Sequence, residues 1–306
     1  MENNTHPGFS IDALVPKEMA AKMANIGAAK VSLGPLRMFA LAVLAGAFIA
    51  LGAIFATTVT TGAGGAVPFG ITKLLGGLVF CLGLILVVGA GAELFTGNNL
   101  IMMAWASGKV STSRLLRNWT IVYLGNFVGS VFTAVIMLLS QQYTFAGGAI
   151  GQNALNIASG KLTYGFTQAL VLGILCNALV CLAVWLAIGA RSATDKILAI
   201  IFPITAFVAA GFEHSVANMY FIPIGLFIKD FAPDSFWTAA GTAPADFANL
   251  TWGNFFAANL LPVTIGNIIG GGFMVGLVYW FIYLRPSWTK HPVDSDSKEP
   301  ALASRQ

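Results

Sequence analysis

The sequence predicts an all-α membrane protein: six transmembrane helices in a 3+3 inverted repeat, with the second and fifth helices broken. Three observations lead there. Hydrophobic residues make up 57% of the 306 and charged residues 9%, whereas a soluble domain carries about 25% charged residues; the mean hydropathy is +0.79. Several apolar runs reach the ~20 residues that span a hydrocarbon core. Finally, Gly91-Ala92-Glu93-Leu94-Phe95-Thr96-Gly97-Asn98 returns as Gly211-Phe212-Glu213-His214-Ser215-Val216-Ala217-Asn218, with Gly, Glu, a small residue and Asn at the same spacing. A carboxylate at membrane depth is costly, so Glu93 and Glu213 in matching contexts argue for a paired device near the midplane.

In chain order, residues 1–35 form a cytoplasmic N-terminal tail. Within it Ile11, Leu14, Val15, Met19, Met23 and Ile26 recur at helical spacing, with Pro16 near a helix start and Lys17, Lys22 and Lys30 interleaved. This predicts an amphipathic helix over 11–30 on the membrane surface, serving as an anchor, or as a gating lid or docking element for a cytoplasmic partner. The channel domain covers 36–285, with spans at 36–61, 70–106 (interrupted), 116–140, 164–189, 197–228 (interrupted) and 253–284. The third span carries Gly125-Asn126-Phe127-Val128-Gly129 and the sixth Gly266-Asn267-Ile268-Ile269-Gly270, which divides the domain into repeats 36–140 and 164–285. Three spans per copy is an odd number, so the second copy enters the bilayer from the opposite side. Ligand sites in such folds lie at the repeat interface, on discontinuous helices. Residues 286–306, polar and holding Pro286, Pro292 and Pro300, read as a disordered cytoplasmic tail. The first 35 residues lack an apolar signal core, and the first span is expected to direct its own insertion.

A net charge of +4 does not indicate nucleic acid, because the basic residues are strung between apolar spans and form no continuous face. They sort by loop instead. Lys17, Lys22, Lys30, Arg37, Lys109, Arg114, Arg117, Arg191, Lys196, Arg285, Lys290, Lys298 and Arg305 fall on one side of the membrane, and only Lys73, Lys161 and Lys229 on the other. The asymmetry puts both termini in the cytoplasm. Cys81, Cys176 and Cys181 all lie in spans without metal-ligand spacing and read as small core residues. No nucleophile–base order, phosphate loop or dinucleotide fingerprint is present, which argues against an enzyme and against a cofactor.

Around 89–98 and 209–218, glycines and the cap formers Thr96, Asn98, Ser215 and Asn218 supply what a helix needs to stop and restart. Non-helical backbone at this depth survives only where it is buried in protein or lines a cavity. Each restarting half-helix aims unpaired N–H groups and a partial positive charge at the centre, which favours an anion without any arginine. His214, the one histidine in the membrane region, is the candidate pore group, with Thr96 opposite it and Asn267 reaching the same space. Glu93 and Glu213 are expected to be structural, accepting backbone N–H groups at the breaks or staying protonated through burial. Asn126 reads as helix-to-helix glue. Lys161, alone in the outer loop 141–163, is a solvated loop charge or an anion-attracting mouth.

The chain resembles the formate/nitrite transporter family, most of all its formate channel branch. The resemblance covers residues 10–285 and rests on Gly91–Thr96, Gly211–Met219 and the segment Pro262-Val263-Thr264-Ile265-Gly266-Asn267-Ile268-Ile269-Gly270-Gly271. It implies an aquaporin-like fold and a homopentamer in the bacterial inner membrane, each protomer with its own pore. It also implies a pathway past Lys161, Thr96, His214 and Asn267, with apolar constrictions at Phe80 and Phe207 on the periplasmic side and at Leu84, Leu94 and Val180 on the cytoplasmic side. Formate, anionic at neutral pH because carboxyls titrate near ~4, is then expected to lose water at a constriction. At His214 it is either stabilised by imidazolium or takes its proton and crosses as the neutral acid, since a bare ion in low dielectric is strongly disfavoured. Nitrite or hydrosulfide are same-family alternatives. An aquaporin-type neutral-solute channel lacks its Asn-Pro-Ala pair here, and a secondary active transporter is the other competing class.

Overall fold

A computed structural model describes residues 12–64 and 67–285, and every regular element among them is helical. The expected disordered tail 286–306 and the start of the amphipathic helix at Ile11 lie outside the described residues. Helix α1 spans Pro16–Ser32, with proline in its first turn and Met19, Ala20, Met23, Ala24, Gly27 and Val31 on the buried face. Its apolar stripe does not lie free on a membrane surface. Met19, Ala20 and Met23 join a core cluster with Leu100, Met103, Cys181 and Trp185.

Five segments have the length and hydropathy to cross a bilayer. They are α2 (Pro35–Val59), α3 (Phe69–Ala90), α6 (Thr112–Leu139), α8 (Phe166–Gly189) and the run from Pro244 to Tyr283. Between α3 and α6 lie α4 (Phe95–Asn98), a 3-10 turn Asn99–Ile101 and α5 (Met102–Ala106). Helix α7 spans Ala149–Lys161, α9 Ala193–Ala209, α10 Ser215–Phe231 and α11 Asp234–Ala240. The last membrane run is assembled from α12 (Trp252–Asn254), a π-helical stretch Phe255–Leu260, α13 (Leu261–Asn267), a second π-helical stretch Ile268–Leu277 and α14 (Val278–Tyr283). π-Helical insertions in a helix often mark functional places.

The segment 141–163 is not the loop the sequence suggested. Two 3-10 turns, Gln142–Thr144 and Ala146–Gly148, lead into α7, and Lys161 is that helix's last residue. Ile150, Ala154, Leu155 and Ala158 form its buried face. There it packs against α10 so closely that a Cβ on Gly225 would press on the Ala158 Cβ.

Glycines set the membrane packing. On α6, a Cβ at Gly125 or Gly129 would overlap α2, at Ala42 and the Val43 carbonyl oxygen respectively. On the last run, a Cβ at Gly266 or Gly270 would overlap α8, at the Leu170 and Ile174 carbonyl oxygens. Small residues four apart let backbones touch where lipid supplies no hydrophobic drive. The two interfaces are built alike.

The chain leaves helical geometry at two matching places. Helix α3 ends at Ala90 with Gly91 at φ 81, and Ala92 N–H closes on the Val87 carbonyl at 2.9 Å. Helix α9 ends at Ala209, Gly211 has φ 74, and Phe212 N–H closes on the Phe207 carbonyl at 3.0 Å. A left-handed residue at this position is the usual glycine stop. Both following stretches are then strapped to a neighbouring helix: Glu93 N–H donates to the Leu41 carbonyl at 3.2 Å and Glu213 N–H to the Leu172 carbonyl at 3.3 Å. Helix resumes at Phe95 and at Ser215.

Candidate pore centre

Each restart is braced by an asparagine from the Gly-Asn-x-x-Gly motif. Asn126 Oδ1 accepts Phe95 N–H at 2.9 Å, and its Nδ2 donates to the carbonyls of Ala42 (2.7 Å) and Glu93 (2.9 Å). Asn267 repeats the set: its Oδ1 accepts Ser215 N–H at 2.9 Å, and its Nδ2 donates to Gly173 (2.8 Å) and Glu213 (3.0 Å). Both side chains are fully buried. Asn267 was expected to reach the pore. Its carboxamide is instead taken up by Ser215 N–H and the Glu213 carbonyl at the break and by the Gly173 carbonyl of α8, and it lines no part of the cavity described below.

The two glutamates are held the same way, by side chains rather than by backbone N–H groups. Glu93 Oε1 meets Lys30 Nζ at 2.7 Å, while Asn98 Nδ2 reaches Oε2 at 2.7 Å. Glu213 Oε1 meets Lys161 Nζ at 2.8 Å, and Asn218 Nδ2 and Asn259 Nδ2 reach Oε2 at 2.6 and 3.1 Å. Asn98 also donates to Asn118 Oδ1 (3.0 Å) and Asn218 to Asn259 Oδ1 (2.7 Å). The ammonium partner replaces the stabilisation that burial removes from each carboxylate. Lys161 is therefore neither a solvated loop charge nor an unpaired one.

His214 caps α10. Its Nδ1 accepts Ala217 N–H at 3.0 Å, and its Nε2 lies 3.0 Å from Thr96 Oγ1. A neutral imidazole whose Nδ1 accepts carries its proton on Nε2, so Nε2–H donates to Thr96 and the threonine's own hydrogen is left for another acceptor. Thr96 and His214 are 0% and 3% exposed, and they join the two interruptions across the centre. Asn177 of α8 adds a second tie, donating to Asn99 Oδ1 (2.8 Å) and to the Asn267 carbonyl (2.7 Å).

A cavity of about 1090 Å³ opens next to this centre. Phe80, Phe207, Lys161, Glu213, His214 and Asn218 all line it. The Phe80 and Phe207 rings meet edge to face at 5.7 Å, and Phe207 stacks on the His214 ring at 5.9 Å. Leu84, Leu94 and Val180 are buried in the same core but line no part of this cavity. Asn218 Oδ1 and Ser215 Oγ have no hydrogen-bond partner among the described residues.

Lys30, Asn118, Asn177 and Asn259 were missed in the sequence, and for Lys30 the signal was there. Asn25-Ile26-Gly27-Ala28-Ala29-Lys30 and Asn156-Ile157-Ala158-Ser159-Gly160-Lys161 share Asn, Ile and Lys at one spacing. Thus α1 and α7 occupy matching places, each closing with a lysine on the glutamate of its own unit.

Fold and centre together define a helical membrane transport protein with a polar junction between interrupted helices. The family model for formate/nitrite transporters matches residues 17–281, and the chain belongs to that family. It is 50% identical to the formate channel FocA of Escherichia coli (strain K12) over 274 residues, 90% of this chain and 96% of the relative. It is 44% identical to formate channel FocA of Haemophilus influenzae over 265 residues, covering 87% of this chain and 93% of the relative. Among solved structures it resembles one described as a pentameric formate channel with formate bound (TM-score 0.78, 52% identity, 82% of this chain and 98% of that one). It also resembles an FNT family ion channel (TM-score 0.74, 31% identity, 87% and 98%).

Proposed function

We propose that the chain conducts formate and related small monovalent anions across the bacterial inner membrane, both ways, through one pore in each protomer of a homopentamer. The observation that carries the reading is the Thr96–His214 contact at 3.0 Å, bridging the two interruptions beside a cavity gated by phenylalanines. Identity of half the aligned residues with the Escherichia coli formate channel and 52% with the formate-bound pentamer supports the substrate class and the assembly.

In this reading α3 with α4–α5, and α9 with α10, are the broken second and fifth spans, giving six in a channel domain 36–285 with both termini cytoplasmic. Neither α9 nor α10, at 17 residues each, is long enough alone. Formate enters the cavity and sheds water as it passes between Phe80 and Phe207. It then accepts a hydrogen bond from the Thr96 hydroxyl, which His214 Nε2–H polarises. The N-terminus of α10 adds partial positive charge where the carboxylate arrives. His214 serves as a hydrogen-bond donor oriented by its cap. Giving up a proton as imidazolium would require it to release Ala217 N–H first. Leu84, Leu94 and Val180 form the apolar barrier beyond the centre.

Flux assays in liposomes holding the purified protein test the class. Labelled formate equilibrates rapidly and is not accumulated by an imposed proton gradient, while glycerol-driven swelling stays at the rate of empty liposomes. Glycerol permeability well above that rate, with no formate flux, assigns the pore to neutral solutes instead.

A further inference from the structure

The cavity beside the pore centre holds three side chains of fixed charge, Lys73, Lys161 and Glu213. Two of them cancel, because Lys161 Nζ lies 2.8 Å from Glu213 Oε1. The paired ammonium also lies 5.4 Å from the Phe221 ring centroid, which holds it in place against the wall. The cavity's uncompensated positive charge therefore sits on Lys73. Its Nζ has no carboxylate within salt-bridge distance among the described residues, and lies 5.4 Å from the ring centroid of Phe69, one helical turn earlier. Lys73 is partly exposed and Phe69 76% exposed, which places both at the cavity's open end. Low-dielectric walls focus the field of such a charge along the cleft and raise the local concentration of an oppositely charged solute.

We propose that Lys73 is the anion-capture residue of the outer vestibule, drawing small carboxylates into the cavity before they reach the Thr96–His214 centre. Phe69 and the first turn of α3 hold the ammonium at the rim, and the neutral Lys161–Glu213 pair lets the captured anion pass inward without a deep trap. Lys73 acts on entry and touches no group of the centre. The proposal rests on the formate-transport reading and is tested apart from it.

The experiment measures initial formate uptake into right-side-out membrane vesicles bearing the full chain, comparing the parent with Lys73→Gln, Lys73→Glu and Lys73→Arg. At low ionic strength and subsaturating formate, Lys73→Gln is expected to reduce uptake by about threefold to tenfold and Lys73→Glu by more, while Lys73→Arg stays near the parent. The differences shrink towards one as salt approaches 1 M, where the screening length falls to ~3 Å, and at saturating formate the maximal rates agree. Parent-like uptake by Lys73→Glu at low salt overturns the proposal, as does a deficit that persists at high salt and at saturation. A parent that carries no formate at all sinks the transport reading instead.

Discussion

At the residue scale, one side chain makes two contacts at the centre. His214 accepts Ala217 N–H through Nδ1 and so starts α10, and by that bond its proton is fixed on Nε2, facing Thr96. Replacing it by phenylalanine removes both the cap and the donor. The lost cap is worth about 1 kcal/mol. His214→Asn keeps a cap acceptor, and should retain more thermal stability than His214→Phe while still losing formate flux. Equal melting temperatures for the two variants would show that the ring does not cap the helix. The burial of His214 between the two interruptions was legible, because it stands beside a repeated glutamate in an apolar run, but its role as the cap of α10 was not. The destination of Asn267 was not. A carboxamide near a pore motif looks the same in sequence whether it faces water or, as here, two backbone groups of a broken helix and one of its neighbour α8.

At the element scale, each interruption survives in the apolar interior because its stray backbone groups are claimed. Asn126 and Asn267 make three bonds each, and removing either leaves buried N–H and C=O groups unpaired, at roughly 1–3 kcal/mol per group. Asn126→Ala is expected to destabilise by about 3 kcal/mol or more, read as a lowered unfolding temperature in detergent. A shift indistinguishable from zero would mean that water or a rearranged backbone takes over the brace. Packing beside the breaks is equally tight. Gly270→Ala forces a Cβ into the Ile174 carbonyl oxygen and should separate α8 from the last membrane run, lowering the yield of folded protein. An unchanged yield and unfolding temperature would show that the helices can slide apart at little expense. The stops at Gly91 and Gly211 were readable from the repeated motif, but the caps were not: Thr96, Asn98, Ser215 and Asn218, expected as cap formers, lie within α4 and α10, whose N-caps are Leu94 and His214. The helix α7 was not, because its polar Gln152, Asn153 and Asn156 resemble loop composition, and only contact with α10 reveals its buried face.

For the whole molecule, the two units match in their glycine contacts, asparagine braces, lysine–glutamate pairs and helix stops. The matching glutamates and the Gly-Asn-x-x-Gly pair are legible in the sequence, where α1 looks like a separate surface piece. The shared Asn-Ile-x-x-x-Lys pattern joins α1 to its unit instead. Where the units meet, the match is broken. His214 stands at the place held by Leu94 in the first unit, and Thr96 at the place of Val216. The polar contact at the centre arises from that asymmetry. Assembly belongs to this scale too. Long apolar side chains such as Phe132, Leu139, Phe202 and Phe281 remain more than half exposed on a single chain, which suits lipid or a neighbouring protomer. Native mass spectrometry of the purified protein should give a five-chain mass, and a monomer as the dominant species would contradict the pentamer.

The most direct test of the central claim is labelled formate flux in proteoliposomes for the parent, Thr96→Ala and His214→Phe, each confirmed to be folded and equally incorporated. Passage through the Thr96–His214 junction predicts rapid equilibration for the parent and at least a tenfold slower rate for both variants. Parent-like rates in both would show that formate does not pass between these two side chains.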